Sequence, residues 1–245
     1  MRKLLAIGAI LLLTVSVGVA AERQGKPIEI KTAYGTFFDA YQVGPEDSTQ
    51  SVLIIHDRWG LDSLAMNWAD RFAEQGFLAL AIDLYDGRVA KKKDEEHATA
   101  LMRQMAPEWV DANLLAAISY LNELPGRRVS LLGFGYGGSA AMRATVIDPL
   151  SVISTVNIFG RVPQDVEELR GISGPVLTLF SEKDGWVGLD EIENFERLMF
   201  KLRNALQVAR VDERSGFLDP QHRAYSEGEA QRVWNRAFEF IFDTQ

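Results

Sequence analysis

The chain has no cysteine in its 245 residues, and only three histidines and eight prolines. Without a thiol there can be no disulfide, no thiolate metal site, no cysteine-linked lipid and no cysteine nucleophile. The histidines, His56, His97 and His222, show no metal-ligand spacing, and the carboxylates form no recognisable loop motif. Neither a bound metal nor a cofactor is therefore expected. Positive charge is also scarce: 26 Lys and Arg against 34 Asp and Glu leave a net charge of -8, which gives no electrostatic footprint for nucleic acid. A small anionic partner would need a local basic pocket. No repeat period and no low-complexity segment is present.

What the chain does have is core material. Hydrophobic residues make up 47% of it and charged residues 24%, enough for one globular domain with a full interior. The long apolar run lies at the start, where Arg2 and Lys3 precede Leu4 to Ala21 and the small residues Gly18, Ala20 and Ala21 precede Glu22. This layout predicts a cleaved signal peptide over 1–21, and a single domain over 22–245 that is periplasmic or secreted and free of the membrane after cleavage. The alternative is an uncleaved N-terminal anchor, since about 18 apolar residues just reach across a bilayer.

Beyond the leader, short apolar runs alternate with segments of helical spacing. Pro27 to Lys31 and Thr36 to Val43 predict a hairpin joined at Tyr34-Gly35. Buried-strand runs follow at 52–55, 77–82, 129–132, 152–158, 176–180 and 205–211. Helical stripes include Val110, Leu114, Ile118 and Leu121, then Leu189, Ile192, Phe195 and Met199, then Val233, Ala237 and Ile241. The fold class is thus α/β: a mostly parallel sheet of about eight strands with a leading hairpin and helices on both faces. Ligands of such sheets sit at the carboxyl ends of the strands, so the residues after each run carry the functional information.

After 129–132 comes Gly133-Phe134-Gly135-Tyr136-Gly137-Gly138-Ser139, which fits two patterns. As G-x-G-x-x-G it would hold a dinucleotide; as G-x-nucleophile-x-G it is a sharp strand-to-helix turn with glycine where the nucleophile belongs. The dinucleotide pattern expects an early position in the chain and an acid at the end of the next strand, and neither is present. The other strand ends carry His56-Asp57-Arg58-Trp59-Gly60-Leu61, Asp83-Leu84-Tyr85-Asp86-Gly87-Arg88, Ser181-Glu182-Lys183-Asp184 and Ser215-Gly216-Phe217-Leu218-Asp219-Pro220.

In this order the motifs resemble the dienelactone hydrolase family of α/β-hydrolases. H-D-R-W-G-L is similar to its H-E-x-W-G-L, D-L-Y-D-G-R to its D-L-Y-G-G-R, G-F-G-Y-G-G to its G-x-C-x-G-G and S-G-F-L-D-P to its H-G-F-x-x-P. The resemblance implies an α/β-hydrolase fold and a nucleophile, histidine and acid acting together on esters or lactones. It places the nucleophile at Gly135, the histidine at Ser215 and the acid at Asp184, with Asp57 standing for a glutamate that restrains the nucleophile. Two of the three triad members are therefore lost. Glycine enters a strained turn at no steric cost, whereas a residue with a Cβ pays roughly 1–3 kcal/mol, so Gly135 is what remains once the reagent is no longer needed.

Asp57, Arg58, Trp59, Arg88 and Tyr136 are the expected binding residues, with the N–H groups of Arg58 and Tyr136 where an oxyanion would lie and Arg88 where the resemblance implies a hold on a substrate carboxylate. His56 is expected to be packed, His97 solvated, and His222 a surface residue opening the last helix; Ser139 is expected at a helix start. The charge run from Lys91 to Glu96 reads as a solvated helix approach or loop. The expected function is a catalytically silent, exported protein that binds a small carboxylate or lactone or has a regulatory role. The alternative is an ester or lactone hydrolase working through a non-standard residue.

Overall fold

The computed structural model describes residues 23–214 and 216–245; the predicted leader over 1–21 and Ser215 lie outside the described residues. The strands are β1 (Lys26–Lys31), β2 (Phe37–Val43), β3 (Gln50–Ile55), β4 (Leu78–Ile82), β5 (Arg128–Phe134), β6 (Val152–Ile158), β7 (Val176–Phe180) and β8 (Leu206–Arg210). The helices are α1 (Ser63–Glu74), α2 (Glu95–Gln104), α3 (Pro107–Leu121), α4 (Tyr136–Ile147), α5 (Val166–Leu169), α6 (Leu189–Leu202) and α7 (Glu227–Thr244). Among the described residues no helix is long and apolar enough to cross a membrane.

One eight-stranded sheet runs in the order β1-β2-β4-β3-β5-β6-β7-β8. The hairpin pairs antiparallel, β2 meets β4 antiparallel, and every other neighbouring pair is parallel. Strand alternation divides the interior: Val52 and Ile54 of β3 enter one core layer, while Leu53 and Ile55 enter the other. The first layer is closed by α1 and α7, where Trp68 meets Phe134 and Trp234 edge-on at 5.0 Å. Aromatic pairs of this kind add about 0.5–1.5 kcal/mol each beyond the area they bury. The second layer is closed by α2, α3 and α4, and α6 packs with β7 over a third cluster around Phe195.

The expected strands are all present, with ends moved by a few residues. β5 runs two residues past its apolar stretch because Gly133 and Phe134 continue the ladder with Asn157 and Ile158. Of the two readings of the run from Lys91 to Glu96, the helix approach is the one found: Asp94 accepts a hydrogen bond from the His97 N–H at 3.0 Å and caps α2. The chain direction of winding reverses between β3, whose successor β4 lies on one side, and β5, which lies on the other. This switch point opens a crevice outside the carboxyl ends of β3 and β5.

Candidate active site

Two adjacent turns build the floor of the crevice. At the end of β5, Gly135 adopts φ +50° and ψ -111° before α4 begins at Tyr136. Its N–H donates to the Ile158 carbonyl at 2.7 Å and its carbonyl accepts from the Ser139 N–H at 3.1 Å, so the bend is fixed on both sides. At the end of β3, Asp57 turns its carboxylate onto this bend. A Cβ added at Gly135 would overlap Asp57 Oδ1, with Cγ at 3.0 Å and Oδ2 at 3.4 Å. The acid thus fills the volume a nucleophile's side chain would need.

Asp57 Oδ1 also takes the two expected oxyanion donors. It accepts from the Arg58 N–H at 2.6 Å and, over a long 3.4 Å, from the Tyr136 N–H. The second donor belongs to the first turn of α4, where the helix dipole favours negative charge. Burial nevertheless pushes the Asp57 carboxyl above its usual range, against the lowering effects of those amides and of Arg58 and Lys92. Oδ2 has no hydrogen bond among the described residues.

His56 locks the same strand end from behind. It is fully buried, its Nε2 accepts from the Leu84 N–H at 3.0 Å, and its Nδ1 lies 2.7 Å from the Asp57 carbonyl oxygen. Only a neutral ring with hydrogen on Nδ1 satisfies both contacts. Desolvation lowers its pKa from 6.5 and outweighs the nearby Asp83 carboxylate, so the 3.8 Å approach of Asp83 is not an ion pair at neutral pH. His56 ties β3 to the turn after β4.

The crevice holds a cavity of about 510 Å³ lined by Asp57, Gly135 and Tyr136 on the floor, Asp184 on one wall and His222 on another. Burial pushes the Tyr136 phenol up to about 12. Arg58, Lys92, Lys183, Arg214 and Arg223 also line it, facing the carboxylates of Asp57, Glu95, Asp184 and Asp219, so the lining is of mixed charge. Arg58 lies 4.9 Å over the buried Trp59 ring and pairs with Glu95 at 2.8 Å. Lys92 is bound by Asp62 and, at 3.0 Å, by Asp219, and these carboxylates raise its pKa against the cost of burial.

Several placements differ from the sequence reading. Arg88 does not line this cavity: its Nε donates to the Tyr85 carbonyl at 2.7 Å and its Nη1 to Gln104 at 2.8 Å, which holds it on the exposed side. His222 neither sits at the surface nor opens the last helix, since α7 starts at Glu227 and the ring is half-buried on the cavity wall. It packs onto Gly216, where an added Cβ would meet its Cε1 at 2.5 Å and Cγ at 2.7 Å, and its Nδ1 accepts from the Ala224 N–H at 3.1 Å. Ser139, by contrast, stands in the first turn of α4 as expected, where it accepts from the Arg161 N–H at 2.8 Å, away from the main cavity. Lys92 was missed because it reads as one of a solvated run; the cue in the sequence was only the presence of Asp62 and Asp219 in remote segments.

The glycines at the end of β5 and the start of α4 have a packing explanation. Side chains at Gly133 and Gly137 would collide with backbone, of Gly137 and Gly138 for the first and of Ile55 and His56 for the second. Close approach of α4 to the strand ends therefore accounts for the glycine pattern without a pyrophosphate.

A family model described as "Dienelactone hydrolase family" matches residues 38–244. The chain belongs to the dienelactone hydrolase family. Among curated relatives, "Protein usf" of Aquifex pyrophilus is 31% identical over 216 residues, covering 82% of this chain and 91% of that protein. A putative carboxymethylenebutenolidase of Aquifex aeolicus (strain VF5) is 29% identical over 178 residues, covering 69% of this chain and 76% of that protein. Solved structures of similar shape include a putative dienelactone hydrolase from Klebsiella pneumoniae subsp. pneumoniae MGH 78578, with TM-score 0.75, 18% identity and coverage of 89% of this chain and 98% of that one. That likeness shows the α/β-hydrolase fold. The motif resemblance sets the turn of Gly135 against the family's nucleophile turn, and in this chain that turn carries no side chain.

Proposed function

We propose that this protein is a dienelactone hydrolase family member that is silent toward esters and lactones and acts, after export and removal of residues 1–21, as a binding or regulatory protein for a small carboxylate or carbonyl compound. One contact carries this reading: Asp57 Oδ1 occupies both the nucleophile's volume and the two amide donors that an acyl-transfer intermediate would use. An anion held there repels the developing oxyanion it replaces. The cavity has room for a small molecule, and Arg214 and Arg223 in its lining suit an anionic one.

Thermal unfolding with a panel of short mono- and dicarboxylates tests the binding. A ligand at 100 times its Kd adds about 2.7 kcal/mol, a readily measured rise in Tm. In parallel, hydrolysis of p-nitrophenyl acetate and of an enol-lactone should stay at the level of the buffer. No stabilisation by any carboxylate, or ester turnover in the wild-type protein, overturns the proposal. Export is tested by N-terminal sequencing of the mature protein, which should begin near Glu22.

A second reading, a hydrolase using a non-standard base, is favoured by the place of His222 at the cavity wall beside Gly216. It requires ester turnover that is lost in His222→Gln.

A further inference from the structure

We infer that Asp57 is a nucleophile toward saturated carbon, so that the cavity captures small anionic alkylating compounds as an ester of its own carboxylate. The inference goes beyond the binding role: it assigns a reaction to the group that blocks acyl transfer.

The geometry separates the two carboxylate oxygens. Oδ1 is engaged by the Arg58 and Tyr136 amides, whereas Oδ2 carries no hydrogen bond among the described residues and Asp57 lines the cavity. The carboxylate stands beside the elbow, with Oδ1 inside the volume of a Cβ on Gly135 and Oδ2 3.4 Å from that Cβ. Asp57 is half-buried, and this partial loss of water raises the energy of its anion relative to a fully solvated carboxylate. A carboxylate is a poor reagent for an ester carbonyl, because the mixed anhydride it forms is higher in energy than the ester. At a saturated carbon with a leaving group it forms an ordinary ester instead.

The step balances without any co-reactant. The Oδ2 lone pair forms the O–C bond, the carbon–halogen bond breaks, and halide leaves with the bonding pair. Water then adds to the Asp57 carboxyl carbon. The charge that develops on Oδ1 is already held by the two amides, an oxyanion hole for the enzyme's own ester. Collapse releases the alcohol, which takes one proton from water, and the second proton passes to solvent as the carboxylate re-forms. Arg58 and Lys92 are already paired with Glu95 and with Asp62 and Asp219, so Arg214 and Arg223 are the cavity cations that favour a substrate bearing a carboxylate as well as the reactive carbon.

Bromoacetate is the probe, and the lack of cysteine removes the commonest competing target. Peptide mass mapping of the wild-type protein should show one carboxymethyl group on Asp57, lasting or transient, and the modification rate should fall at least about 100-fold in Asp57→Asn. In the wild-type protein, a single turnover in water enriched in oxygen-18 should place the heavy oxygen in Asp57 and leave the hydroxyl of glycolate unlabelled. Carboxymethylation confined to histidine or methionine, equal rates in Asp57→Asn, or heavy oxygen in the glycolate hydroxyl would overturn the inference. Because the isotope experiment needs no variant, a misfolded Asp57→Asn cannot conceal the answer. Protein that binds carboxylates yet shows no Asp57 ester would leave the binding role standing and this inference refuted.

Discussion

The turns that end β3 and β5 lie side by side at the mouth of the sheet and have opposite contents. After β5 the backbone is bent into a position that favours glycine, φ +50°, and offers no side chain. After β3 the bend carries Asp57, whose carboxylate crosses the gap and fills it. Without Asp57, the turn of Gly135 would border a void lined by amides. Asp57 occupies that void and bonds the same donors, so the two turns pack against each other without a gap.

The glycines of this segment are not equivalent, and substitution separates them. Gly137 is bounded by the backbone carbonyls of Ile55 and His56, which cannot move aside without unpacking α4 from β3. Gly137→Ala should therefore cost more than about 3 kcal/mol in urea unfolding, the largest effect here. Next comes Lys92, which neutralises Asp62 and the nearly buried Asp219 and lowers the Asp57 pKa. Lys92→Met should destabilise by about 2 kcal/mol, partly discounted from a fully buried pair because the lysine keeps some exposure. A neutral result would mean that the cation wall is not structurally coupled to the turn after β3.

Smaller effects come from pH, where the neighbours His56 and Asp57 act in opposite senses. The folded-state pKa of His56 is lowered from 6.5, so below that value the unfolded chain binds the extra proton and stability declines as pH falls. Unfolding free energies from urea titration at about pH 7.5 and about pH 5.5 should differ by about 1 kcal/mol in favour of the higher pH, a difference absent in a folded His56→Asn variant. The folded-state pKa of Asp57 is raised, so the native state binds the extra proton and ionisation at neutral pH costs stability. Asp57→Asn, which keeps an amide-accepting oxygen, should raise Tm slightly at neutral pH, with the gain fading as pH falls towards 3.8. A loss of Tm at neutral pH would show that the charge itself holds the turn.

Most of the framework was legible because its strands are buried on both faces and read as unbroken apolar runs, as in Val52 to Ile55 and Val176 to Phe180. The strand-end motifs also located Gly135, Asp57 and Asp184, all of which line one cavity. What the linear pattern concealed was distance across the fold. It marked the end of β3 and the end of β5 as separate sites of interest, but only the parallel pairing of those strands puts the Asp57 carboxylate at the Gly135 position. His222 and Lys92 were hidden for the same reason: each resembles a surface residue within its own segment, and each reaches the cavity through contacts with the rest of the chain.

Central to this picture is that Asp57 and Gly135 share one volume, and a double-mutant cycle on stability measures that directly. Gly135→Ala should be costly with Asp57 present, because the new Cβ must push Oδ1 off the Arg58 and Tyr136 amides, a loss of about 1–3 kcal/mol on top of backbone strain. In an Asp57→Gly background only the backbone strain should remain, giving a coupling of at least about 1 kcal/mol. Equal costs in the two backgrounds would contradict the account, since the two side-chain positions would then be independent.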